Sequence, residues 1–118
     1  MLEYNLYYYR GLVKSVYDGD TITVSLDLGM NISRDKIKLR LFGINAPELR
    51  GSTLIEARSS RDFLRGLILD KEVLIQTIKD KKGKYGRYLA NVWVIEDKSW
   101  ININDKMVSE GYAVSKDY

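Results

Sequence analysis

Apolar and polar positions alternate with a two-residue period in the first third of the chain. The segments Leu12 to Tyr17 and Thr21 to Leu28 are rich in apolar and β-branched residues, as strands are. Lys36 to Leu41 alternates strictly, with Ile37, Leu39 and Leu41 on one face and Lys38 and Arg40 on the other. Asp18-Gly19 reads as the two-residue loop of a type I′ hairpin, and Gly29 to Asp35 as a second turn region. Three consecutive antiparallel strands follow from this pattern. Pro47, the only proline, is expected to end the third, because it donates nothing to a ladder and holds Ala46 extended.

The period then lengthens. Leu54, Ala57, Leu64, Leu67 and Ile68 recur at helical spacing, with Arg58, Arg61 and Arg65 on other faces. Thr53-Leu54-Ile55-Glu56 has the capping-box spacing, so a helix is expected from there to about Leu69. Two more strands, Val73 to Ile78 and Tyr88 to Ile95, flank a basic turn running from Lys79 to Arg87, and a short helix from about Ile103 to Glu110 stops at Gly111. Three strands, a helix and two strands fit mainly-β α+β architecture: a five-stranded Greek-key barrel of the OB-fold type with attached helices, or an open five-stranded sheet covered on one face. Periodicity alone does not separate the two.

Composition restricts the chemistry. The chain has no His and no Cys, which excludes a His base, a Cys nucleophile, disulfides and the usual zinc ligand sets. Catalysis must use Asp, Glu, Lys, Tyr, Arg, Ser or Thr, and any metal would be a hard one bound by oxygen: calcium, magnesium or manganese. At 118 residues with 45% hydrophobic content, the chain reads as one domain over residues 1–118, with a core that needs no staples. A net charge of +3 is mild, so the position of the charges matters more than their sum. The first ten residues lack an apolar segment behind a basic start, so no signal peptide is expected; the chain reads as cytoplasmic or as a mature secreted domain without its leader. No stretch approaches the ~20 apolar residues of a membrane span, so no membrane partner is expected.

Three clusters carry chemistry. In Asp18-Gly19-Asp20-Thr21, the first Asp serves the turn, but Asp20 at a strand start is unusual and suits a metal ligand on the sheet rim. In Arg40 to Glu48, Arg40 is either a solvated outer residue or a phosphate grip. Asn45 offers a side-chain oxygen, the backbone carbonyl of Ala46 before the proline another, and Glu48 a carboxylate able to activate water. In the basic turn, Arg87 suits bidentate phosphate contact, Lys82 and Lys84 neutralise phosphate charge, and Tyr85 offers a stacking face. Each cluster alone also fits an ordinary loop.

The order Asp-Gly-Asp-Thr, then Arg-Leu-x-Gly-Ile-x-Ala-Pro-Glu, then Lys-Tyr-Gly-Arg closely resembles the staphylococcal nuclease family, over about Val13 to Ala113. The resemblance implies an OB-fold barrel and calcium-dependent hydrolysis of DNA and RNA, leaving 3′-phosphates. It also implies metal ligation at Asp20, phosphate binding at Arg40 and Arg87, and a general base at Glu48. One position departs from the family pattern: its second metal carboxylate is Asn45 here, one negative charge fewer in the site.

Three functions are thereby expected as alternatives. The first is an active, monomeric endonuclease acting on DNA or RNA, single strands preferred. The second is a domain that binds single-stranded nucleic acid without cleaving it, a reading that Asn45 favours. An OB-like interaction domain with no nucleic acid is a third.

Overall fold

The computed structural model describes residues 7–48, 51–82 and 87–116, except for the side chains of 79–82. Strands β1 (Tyr8–Asp18), β2 (Thr21–Gly29) and β3 (Ile32–Leu41) form an antiparallel meander. Its register aligns Val13 with Val24 and Val24 with Ile37, so one face of all three strands is buried, including Val16, Ile22 and Leu39. The start of β3, Ile32 to Lys36, is exposed at every position. Backbone pairing with β2 alone makes it a strand, which is why no alternation marks it.

After β4 (Ile44–Asn45) and helix α1 (Leu54–Ile68), strand β5 (Glu72–Lys82) pairs antiparallel with β1 and with β6 (Tyr88–Glu96). β6 then runs parallel to β3, with Leu39 beside Tyr88, Arg40 beside Leu89 and Leu41 beside Ala90. That pairing closes β1, β2, β3, β6 and β5 into a five-stranded barrel of the OB-fold type and rules out the open sheet. Closure buries Leu39, Leu41, Ile75, Ala90 and Val92 completely.

Three strands carry no readable period because they are too short: β4, β7 (Ser99–Asn102) and β8 (Val114–Ser115). β7 extends the sheet beyond β6 through Asp97-Lys98, where both residues have positive φ, as a type I′ turn requires. β8 pairs with β4, setting Asn45 opposite Val114. Helix α1 buries Ala57, Ser60, Leu64 and Ile68. Helix α2 (Ile103–Ser109) is capped by the Asn102 side chain, which accepts from the Asp105 N–H, and is followed by Gly111 at φ +82.

Three sequence expectations need correction. The turn between β1 and β2 consists of Gly19-Asp20, not Asp18-Gly19, since Asp18 still pairs with Thr21, and Gly19 has no positive φ. Glycine is needed there for space: a Cβ would stand 1.9 Å from Ser60 Oγ and 2.7 Å from Ala46 Cβ. Thr53 precedes α1 as expected, but its side chain caps nothing; its hydroxyl donates to the Glu48 carbonyl at 2.8 Å. Finally, β3 ends at Leu41 and the chain turns at Gly43 with φ +81, so Pro47 closes β4 rather than β3.

Candidate active site

Asp18, Asp20, Thr21, Arg40, Asn45, Ala46 and Arg87, all singled out in the sequence, come together where the β1–β2 turn, the end of β3 and the start of β6 meet. Antiparallel pairing sets Thr21 opposite Arg40, and the Leu41 N–H donates to the Asp20 carbonyl at 2.8 Å. The parallel β3–β6 pairing brings the residue preceding β6, Arg87, to the same place.

Asp20 is the centre of the resulting network and is only 6% exposed. Its Oδ2 accepts from the Ala46 N–H at 2.8 Å and from Arg40 Nη2 at 3.3 Å, and its Oδ1 accepts from the Thr21 hydroxyl at 3.1 Å. Arg87 Nη1 donates to that same hydroxyl oxygen at 3.1 Å. Arg40 Nη1 donates to the carbonyls of Ile44 and Leu41 at 2.9 and 3.2 Å, and Nη2 also donates to Asn45 Oδ1. Arg40 lies on the polar side of β3, as alternation requires, but it is not a solvated residue. Its side chain is 13% exposed because the 44–46 loop folds over it.

Asp18 accepts from the Asp20 N–H at 3.0 Å. Burial pushes its carboxyl up to about 6, and the neighbouring Asp20 carboxylate adds to the rise; the Asp20 N–H and the Thr21 hydroxyl pull the other way. Asp18, Thr21, Glu48 and Arg87 line one open cleft of about 820 Å³, with Glu48 exposed on its wall. Of the expected substrate contacts, Lys84 and Tyr85 lie outside the described residues. Lys82 is in β5, with its side chain outside them.

The oxygens here suit a hard cation in type. Asp20 Oδ2 and Asn45 Oδ1 converge on one cationic atom, Arg40 Nη2, with the Ile44 carbonyl on the neighbouring nitrogen. Among the described residues, no group of three or more acidic side chains gathers as a metal cage. The contact that Ala46 makes in the network is through its N–H, directed at Asp20.

Sequence reasoning did not assign Tyr17, Arg61 and Arg65 to the site, yet all three line the cleft. The i, i+4 spacing of the two arginines was visible as a common helix flank. Only the packing of α1 beside β1 reveals what that flank faces. Among the described residues, no helix is long and apolar enough to cross a membrane.

A family model described as Staphylococcal nuclease homologue matches residues 38–118. The chain is 32% identical to a thermonuclease of Staphylococcus intermedius over 110 residues, which cover 91% of this chain and 60% of that protein. It is 31% identical to a thermonuclease of Staphylococcus hyicus over 106 residues, covering 87% and 57%. It is 35% identical to protein ParB of Escherichia coli over 109 residues, covering 88% and 55%. The chain therefore spans between 55 and 60% of the length of these relatives.

Proposed function

The chain belongs to the staphylococcal nuclease family, and from that premise we propose that it is a metal-dependent phosphodiesterase that cleaves DNA or RNA, single strands preferred, and acts as a monomer. The observation that carries this reading is the link between Arg40 and Arg87. One donates to the buried Asp20 carboxylate directly, the other to the Thr21 hydroxyl that donates to it, and Thr21 and Arg87 line the cleft that also presents Glu48. Two guanidinium forks set beside a carboxylate-bearing cleft wall suit a phosphodiester whose negative charge grows as water attacks.

In this reading Arg40 and Arg87 hold the phosphoryl oxygens and stabilise the charge that builds on them. Glu48, exposed to water, orients or deprotonates the attacking water. Thr21 fixes Arg87, and the Ala46 N–H fixes Asp20, so the charged groups are positioned before substrate arrives. Lys82, Lys84 and Tyr85 extend the substrate contact. Calcium, or magnesium or manganese with the same preference for oxygen, would be held by Asp20, Asn45 and the Ala46 carbonyl, and would supply positive charge beside the phosphoryl oxygens.

A second reading, binding without cleavage, is favoured by one observation: Asp20 and Asn45 already engage a cation of the chain itself, Arg40. Incubating the protein with single-stranded DNA, with calcium and with chelator, separates the two. Cleavage that chelator abolishes supports the phosphodiesterase; retention of intact DNA at every metal concentration supports the binding module.

A further inference from the structure

Four basic side chains line the cleft: Lys38, Arg61, Arg65 and Arg87. Arg61 and Arg65 come from α1, one turn apart, on the flank beside its buried stripe Ala57, Ser60, Leu64 and Ile68. Arg65 Nη2 donates to the Val16 carbonyl at 3.2 Å, which ties it to β1 at the cleft floor. A single carboxylate serves both arginines: Asp62 Oδ1 lies 3.2 Å from Arg61 Nε and 3.7 Å from Arg65 Nη1. Two guanidinium groups against one carboxylate leave a net positive charge. The imbalance is accentuated by exposure, since the Asp62 side chain is 61% exposed and faces water while that of Arg61 is 23% exposed. Helix-surface pairing alone does not explain why that charge is turned into a cleft. Tyr17 lies in the same cleft with 65% of its surface exposed, a large aromatic face on water.

We propose that Arg61, Arg65 and Tyr17 form a second nucleotide subsite, in which the arginine pair holds a backbone phosphate next to the one engaged by Arg40 and Arg87, and the neighbouring base stacks on Tyr17. The inference rests on the nuclease reading above and adds to it the direction of the bound strand, from Arg87 along α1 towards β1. Arginine suits the task because a guanidinium has five N–H donors: Arg61 meets Asp62 through Nε, and Arg65 places Nη1 near Asp62 and Nη2 on Val16, which leaves further N–H groups for a phosphate oxygen. An aromatic face beside a cationic groove is the usual way to hold a single strand without reading its sequence.

The test measures binding in chelator, where cleavage does not intervene, using a fluorescein-labelled oligothymidylate of about eight nucleotides and, separately, thymidine 5′-monophosphate. Each cation engaged on a single strand contributes about 0.7 to the slope of log affinity against log salt. Arg61→Gln/Arg65→Gln should therefore flatten the oligomer slope by about 1.4 and leave mononucleotide affinity within about twofold. Arg61→Gln alone, which leaves the Val16 contact intact, should flatten it by about 0.7 and shows the effect even if the double variant folds poorly. Tyr17→Ala should weaken the oligomer about tenfold without changing the slope. Oligomer binding with an unchanged slope in Arg61→Gln overturns the subsite and leaves the nuclease reading standing. Failure of the parent protein to bind either probe in chelator also overturns the subsite, whereas the nuclease reading falls only if single-stranded DNA stays intact with calcium.

Discussion

Arg40 and Asp20, on neighbouring strands, form an ion pair at 3.3 Å whose side chains are 13% and 8% exposed. Neither group is there for solubility. Each is held by further bonds, Asp20 by the Ala46 N–H and the Thr21 hydroxyl, Arg40 by Asn45 and two carbonyls, so the pair anchors the 44–46 loop to the barrel. Removing Asp20 takes from the covered Arg40 guanidinium the carboxylate that it meets at 3.3 Å. Asp20→Ala should destabilise the fold by about 3 kcal/mol and abolish cleavage of single-stranded DNA. Urea unfolding measures the first effect. A stability within about 0.5 kcal/mol of the parent would show that the remaining contacts of Arg40 suffice to support it.

The turn itself is equally constrained. Gly19→Ala drives a methyl into Ser60 Oγ and Ala46 Cβ, so α1 or the turn must move. Overpacking of this kind typically costs about 1–3 kcal/mol, and here the displaced residues include Asp18 and Asp20. Thermal melting should show the loss, and turnover should fall with it. A variant that melts with the parent would mean that α1 does not pack this closely on the turn.

Asp18 makes stability depend on pH in a direction opposite to that of most carboxylates. Its folded-state value of about 6 lies above the ordinary value of 3.8. Between those values the folded protein keeps a proton that the unfolded chain has released. Stability from this group therefore falls as pH rises from about 4 to about 6 and stays lower above that. Asp18→Asn removes the effect and should gain on the order of 1–2 kcal/mol at pH 7, a figure reduced for the partial exposure of the carboxylate. Urea titrations at pH 4 and pH 7 in chelator give the comparison. Parallel stability curves for the two proteins would dismiss the shift.

Asn45→Asp adds a carboxylate of nearly the same shape beside Asp20. A unit charge and a dication ~4 Å apart gain ~2 kcal/mol even at the dielectric of water, so calcium should bind roughly ten- to thirtyfold more tightly. Activity at limiting calcium should rise in parallel. Calorimetric titration of calcium into both proteins measures it, and equal affinities would remove position 45 from the metal site.

Much of this molecule is legible in its residues alone. The two-residue alternation of Ile37, Leu39 and Leu41 and the helical spacing of Ala57, Leu64 and Ile68 mark the buried faces, because strand and helix geometry impose those periods wherever one side meets a core. The three motifs and the absence of His and Cys also define the family and the kind of chemistry open to it. Tertiary structure decides what distant residues do to one another. Arg87 and Thr21 are 66 positions apart and share a hydrogen bond only because β6 closes the barrel against β3. The same closure buries Asn104, whose side chain joins the Val92 N–H to the Ala90 and Phe42 carbonyls, a role that no local pattern announces. Arg40 reads as an outward residue by period and becomes a buried ion-pair partner once the 44–46 loop, held by β8, covers it. Periodicity reports which side of an element meets the core; the partner of a charge is set by chain closure, and a charge acquires its function from its partner.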